Sequence, residues 1–71
     1  MIDVTVVSRR QQEVLDALAE LRTHHDYPPT VREIADELGI QVSTAHAHLL
    51  QLRRHGLVEW RPGRPRTLRI L

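Results

Sequence analysis

The chain has 71 residues, no cysteine and a formal net charge of +1, which bounds it to one small domain with neither disulfides nor thiolate metal sites. A domain of this size buries only about 60% of its unfolded surface, and its core supplies roughly 3–5 kcal/mol. The longest unbroken apolar run is Ala17-Leu18-Ala19, far short of the roughly 20 residues of a membrane span or the 7–15 of a signal-peptide core. The composition suits a reducing cytoplasm, where the protein is expected.

Residues 2–7, IDVTVV, alternate Ile2, Val4 and Val6 with Asp3 and Thr5. The pattern fits a short edge strand or a frayed terminus. Ser8 and Gln11 then match the S-x-x-Q capping box, in which the hydroxyl accepts from the third helical N–H and the amide side chain reaches back. Val14, Leu15, Leu18 and Leu21, with Ala17 beside them, recur at three- and four-residue spacing, so a first helix is predicted over about 9–24 with one apolar stripe. Glu13, Asp16, Glu20 and Arg22 form its solvated face. Pro28 and Pro29 end this region, and Tyr27 is expected to fold back onto the core.

Thr30 and Glu33 make a second capping box and open a helix over about 31–38. Val31, Ile34, Ala35 and Leu38 form its buried stripe; Gly39 stops it, and Ile40 packs inward. A third helix is predicted over about 42–55, capped by Gln41 or Ser43, with Val42, Ala45, Leu49 and Leu52 on one face and Gly56 closing it. Residues 57–61 and 67–71 read as two strands joined by Pro62-Gly63-Arg64-Pro65-Arg66, a connection too long for a two-residue hairpin.

The fold class predicted is therefore mainly α with a small β part: three helices forming a winged helix-turn-helix, with a hairpin wing over about 57–71. The spacing carries it. Ala35 stands where two helices must touch, Gly39 follows four residues later for the sharp turn, and Ala45 anchors the next helix. With Ala45 inward, Ser43, His46, Ala47 and Leu50 face away. The start of such a helix contacts base edges, so Gln41, Ser43, Thr44, His46 and Ala47 are the candidate readers. Gln pairs with adenine, Ser and Thr with either donor or acceptor, and the Ala methyl meets a thymine methyl. Leu50 is expected to cover the base of the wing, and His48 to face either the core or a phosphate.

Charge supports this reading. Residues 1–40 hold four arginines against eight acids, a net of −4, whereas residues 41–71 hold six arginines against Glu59 alone, a net of +5. A basic half is the footprint of a nucleic-acid binder, or else a plain solvated surface. Every basic residue is arginine, which suits phosphate and guanine, although a GC-rich genome gives the same usage. Thr30, Arg32, Arg54, Arg61, Arg64 and Arg66 are the candidates for phosphate or the minor groove, contacts that position rather than specify.

No catalytic constellation, cofactor motif or small-molecule site is read. His46 and His48 point to nearly opposite sides of a helix, and His24-His25 have only Asp26 near them, so no metal site is expected.

The strings SRRQQEVL (8–15), YPPTVREIA (27–35), LG (38–39), HLLQL (48–52) and GLV (56–58) resemble the N-terminal DNA-binding domain of LexA-type SOS repressors. The resemblance implies a winged helix-turn-helix that represses transcription as a dimer on a palindromic operator, with Gln41, Ser43, Thr44, His46 and Ala47 at the base-reading positions. Three features differ. The turn after Gly39 is one residue shorter than the commonest form, which often enters this helix through Ser-Pro. His46-Ala47 replaces a typical Glu-Glu pair, so the family's operator sequence does not carry over. The chain stops where the linker to a self-cleaving dimerisation domain would begin, so the expectation is a small LexA-like regulator, for example of a mobile element, without self-cleavage.

The preferred expectation is thus a sequence-specific double-stranded DNA-binding regulator. Whether the chain forms a homodimer is left open, with residues 2–7 as the candidate for self-pairing. The alternative is a winged-helix protein-interaction module, for example an antirepressor, using Leu50, Trp60 and Leu71.

Overall fold

The computed structural model describes residues 7–71. The strand and self-pairing expected of residues 2–7 fall, apart from Val7, outside the described residues. The order is α1 (Arg9–His24), α2 (Val31–Leu38), α3 (Val42–Arg54), β1 (Val58–Glu59) and β2 (Arg69–Ile70). No helix among these residues is long and apolar enough to cross a membrane.

Both capping boxes form. The Ser8 hydroxyl accepts from the Gln11 N–H at 3.1 Å, while the Gln11 side chain accepts from the Ser8 N–H at 3.1 Å. Thr30 and Glu33 do the same at 3.1 and 2.9 Å. Each box satisfies two of the backbone donors that a helix start leaves without a partner. The end of α2 is equally local. Gly39 takes φ 68°, a left-handed conformation that costs a residue with a Cβ, and the Ile40 N–H reaches back to the Ala35 carbonyl at 3.0 Å.

The core gathers Val14, Ala17 and Leu18 from α1, Ile34 from α2, Leu49 and Leu52 from α3, Val58 from β1, and Leu68 just before β2. Each large side chain fully removed from water stabilises the fold by about 1.5–3 kcal/mol before entropy is counted. Ala35 and Ala45 have no exposed surface, as a close helix crossing requires. Val42 departs from its expected place and is 37% exposed. It lies about 60° around the helix from Ala45, in the first turn, ahead of the buried residues Ala45, Leu49 and Leu52.

The wing is shorter than expected. β1 and β2 pair antiparallel over two residues each, Val58 with Ile70 and Glu59 with Arg69, and Glu59 and Arg69 form an ion pair across the sheet. Beyond them side chains replace the ladder. The Arg61 N–H donates to the Thr67 hydroxyl at 2.8 Å, and that hydroxyl donates to the Arg64 carbonyl at 2.9 Å. Pro62 and Pro65 carry no N–H to extend the pairing.

Candidate nucleic-acid interface

α3 begins at Gln41 without a side-chain cap, and the first backbone bond joins the Ala45 N–H to the Gln41 carbonyl at 3.0 Å. The Gln41 side chain, and the N–H groups ahead of Ala45, are thus not consumed by a capping box. With Ala45 buried, Ser43, Ala47, Leu50 and Arg54 fall on the opposite side of the helix, flanked by Thr44 and His46. Gln41, Ser43, Thr44, His46 and Ala47 are all exposed. Leu50, expected over the wing's base, is 45% exposed on this outer face and absent from the core cluster. His48 is half-buried.

The wing leans on α3 through Trp60. The Arg53 guanidinium lies 4.6 Å over the indole ring, and the His46 ring is tilted against it at 6.1 Å. A cation over an indole is worth about 0.5–1 kcal/mol at an exposed site. Sequence reasoning passed over Arg53 in favour of Arg54. A basic residue on α3 and an aromatic at the end of β1 was the available signal, but seven residues of separation hid the contact.

The arginines divide by partner. Arg9 and Arg10 face Glu13, Arg69 faces Glu59, Arg66 faces Glu33, and Arg22 donates to the His25 carbonyl. Among the described residues no ion pair engages Arg32, Arg53, Arg54, Arg61 or Arg64, and all five are exposed. Unpaired cations therefore collect on α2, the end of α3 and the wing. Thr30, Arg32 and Arg64 share one cleft of about 300 Å³ with Trp60 on its wall. A larger groove of about 420 Å³ lies between α1 and β2, lined by residues such as Leu18, Ala19, Leu68 and Ile70, and holds none of the expected contacts.

Arg66, expected at phosphate or the minor groove, is engaged within the chain. Its guanidinium donates to both Glu33 carboxylate oxygens at 3.1 and 3.0 Å and to the Pro28 carbonyl at 3.0 Å. It also covers the Tyr27 ring at 4.5 Å. Tyr27, expected on the core, is 43% exposed and stacks on His25 instead. The Arg66 bond holds the Glu33 carboxyl below its ordinary pKa of 4.5, assisted by the Thr30 N–H. Among the described residues no three His, Asp or Glu side chains are grouped to hold a metal.

An exposed helix opening, small residues at the helix crossing and a basic two-stranded wing define a winged helix-turn-helix of the DNA-binding class. The sequence profile of the LexA DNA binding domain matches residues 4–67. The chain belongs to that family. It is similar to the LexA repressor of Acetivibrio thermocellus, at 39% identity over 92% of this chain and 31% of the relative. It is also similar to the LexA repressor of Halalkalibacterium halodurans, at 42% over 92% of this chain and 32% of the relative. The LexA repressor of a Geobacillus species matches at 39% over 96% of this chain and 33% of the relative. The chain thus spans about a third of the length of these curated relatives.

Proposed function

We propose that this domain binds double-stranded DNA sequence-specifically and represses transcription, with Gln41, Ser43, Thr44, His46 and Ala47 reading the major groove. Thr30, Arg32, Arg54, Arg61 and Arg64 meet the backbone or the minor groove, and Arg53 joins them. The observation that carries this reading is the exposed, uncapped start of α3 in a domain whose unpaired arginines lie on α2, α3 and the wing. Repression is carried over from the name of the relatives, and SOS-type control from the family resemblance. A homodimer fits because a single module covers few base pairs. The proposal assigns no enzymatic role to these residues and sets the protein to work on DNA in the cytoplasm.

Of the alternative docking surface, Leu50 and Leu71 are exposed, while Trp60 is half-buried, with Arg53 and His46 against its ring. Mobility-shift titration at several salt concentrations separates the two readings. Arg64→Ala is expected to weaken all duplexes alike and to lower the salt slope by about one unit. His46→Ala is expected to change affinity in a sequence-dependent way. A wild type without salt-dependent binding, together with two silent variants, overturns the proposal.

A further inference from the structure

Arg66 is anchored outside its own wing. One guanidinium joins three stretches: the linker through Pro28 and Tyr27, the first turn of α2 through Glu33, and the wing that carries it. The backbone at Arg66 is strained, with φ 60°, a left-handed conformation that non-glycine residues hold only when their surroundings enforce it. Glu33 is doubly used as well, because the Oε1 atom that accepts from Arg66 also accepts the Thr30 N–H that closes the capping box.

The neighbouring residue extends this anchorage to the whole tip. The Thr67 hydroxyl ties the Arg61 N–H to the Arg64 carbonyl. The Arg64 N–H in turn reaches the Arg61 carbonyl at 3.0 Å. Residues 61–67 are therefore cross-linked among themselves, and Arg66 fastens them to α2. Arg64 then stands in the same cleft as Thr30 and Arg32. The other wing ion pair, Glu59 with Arg69, joins only β1 to β2.

We propose that Glu33 and Arg66 form a clamp that sets the wing against α2 and thereby places Arg64 on DNA, so that Arg66 is a positioning residue rather than a phosphate contact. The inference rests on the DNA-binding reading. Its physical content is pre-organisation: a wing already held in its bound position has less freedom to lose on binding. Glu33 sits below its ordinary pKa, so the carboxylate stays charged and the clamp closed throughout the neutral range.

Glu33→Gln is the informative variant, because glutamine still completes a capping box while the charge is lost. DNA affinity is measured by titration for wild type, Glu33→Gln, Arg66→Ala and Arg64→Ala, and for each of the first two substitutions combined with Arg64→Ala. Thermal unfolding first establishes that each is folded at the assay temperature. If one clamp variant does not fold, the other carries the cycle. A clamp predicts about five- to tenfold weaker binding for Glu33→Gln and Arg66→Ala, with most of that loss absent when Arg64 is already alanine. A purely structural ion pair lowers the unfolding midpoint and leaves affinity unchanged, which overturns the clamp. A direct phosphate contact by Arg66 also overturns it: Glu33→Gln then binds as well as wild type or better, and the Arg66 and Arg64 losses add. A wild type that binds no duplex sinks the DNA-binding reading itself, whereas a binding wild type with a silent Glu33→Gln sinks the clamp alone.

Discussion

A Cβ added at Gly39 meets no atom within 4 Å, yet the residue holds φ 68°. The requirement is one of backbone conformation and not of space. Gly39→Ala is therefore expected to cost about 1–2 kcal/mol, which in a domain of this size lowers the unfolding midpoint by roughly 4–8 °C per kcal/mol. Gly39→Asn, more tolerant of the left-handed region, is expected to cost less. Equal midpoints for wild type and Gly39→Ala would show that the turn between α2 and α3 relaxes without a positive φ. Gly39, Ala35 and Ala45 were legible in the sequence because each follows from steric rules at fixed spacing. Val42 was not: the face it shares with Ala45 suggested burial, but in the first turn it lies ahead of the buried Ala45, Leu49 and Leu52 and stays exposed, whereas Leu50 lies on the outer face that the spacing gave it. On a DNA-reading surface such groups suit thymine methyls.

At the scale of elements, the helices were legible because their signals are local. The two capping boxes span three residues each, and the apolar stripes repeat every three or four. What tethers the wing to the helices is not local. Glu33 and Arg66 are 33 positions apart, and no periodicity links them, so sequence reasoning placed Arg66 with the free arginines. Acid titration makes this tether measurable. Glu33 has a lowered pKa in the folded state, chiefly through Arg66. A lowered carboxyl pKa stabilises the fold fully above the unfolded value, and that stabilisation is lost as pH falls through the folded one. Denaturant unfolding should show wild type more stable than Glu33→Gln at pH 7, with the gap closing below about pH 4.5 as Glu33 takes up its proton. Because 40% of the Glu33 side chain is exposed, the gap should be modest and smaller in high salt. A gap that is unchanged at pH 3 would mean that the charge of Glu33 does not hold the wing.

For the molecule as a whole, charge is divided unevenly along the chain. The first 40 residues carry a net −4 and the remainder +5. Within that basic remainder the structure separates arginines that brace the wing from those left unpaired. Unpaired cations give affinity and salt dependence, but not sequence preference. On the proposed reading, preference comes from the start of α3, where His46-Ala47 departs from the common family pair and where the His46 ring lies tilted against Trp60. The class of ligand is thus written in the fold, while the order of bases it prefers is written only in side-chain contacts with DNA.

Selection of bound sites from a random duplex pool separates sequence reading by α3 from sequence-blind binding. The wild type is expected to enrich a short motif, and His46→Ala to loosen it at one position. If the protein dimerises, the motif recurs in inverted halves about one helical turn, or a multiple of one turn, apart. Salt-sensitive binding with no enriched motif would rule out base reading by α3, for the arginines would then be holding DNA that α3 does not read.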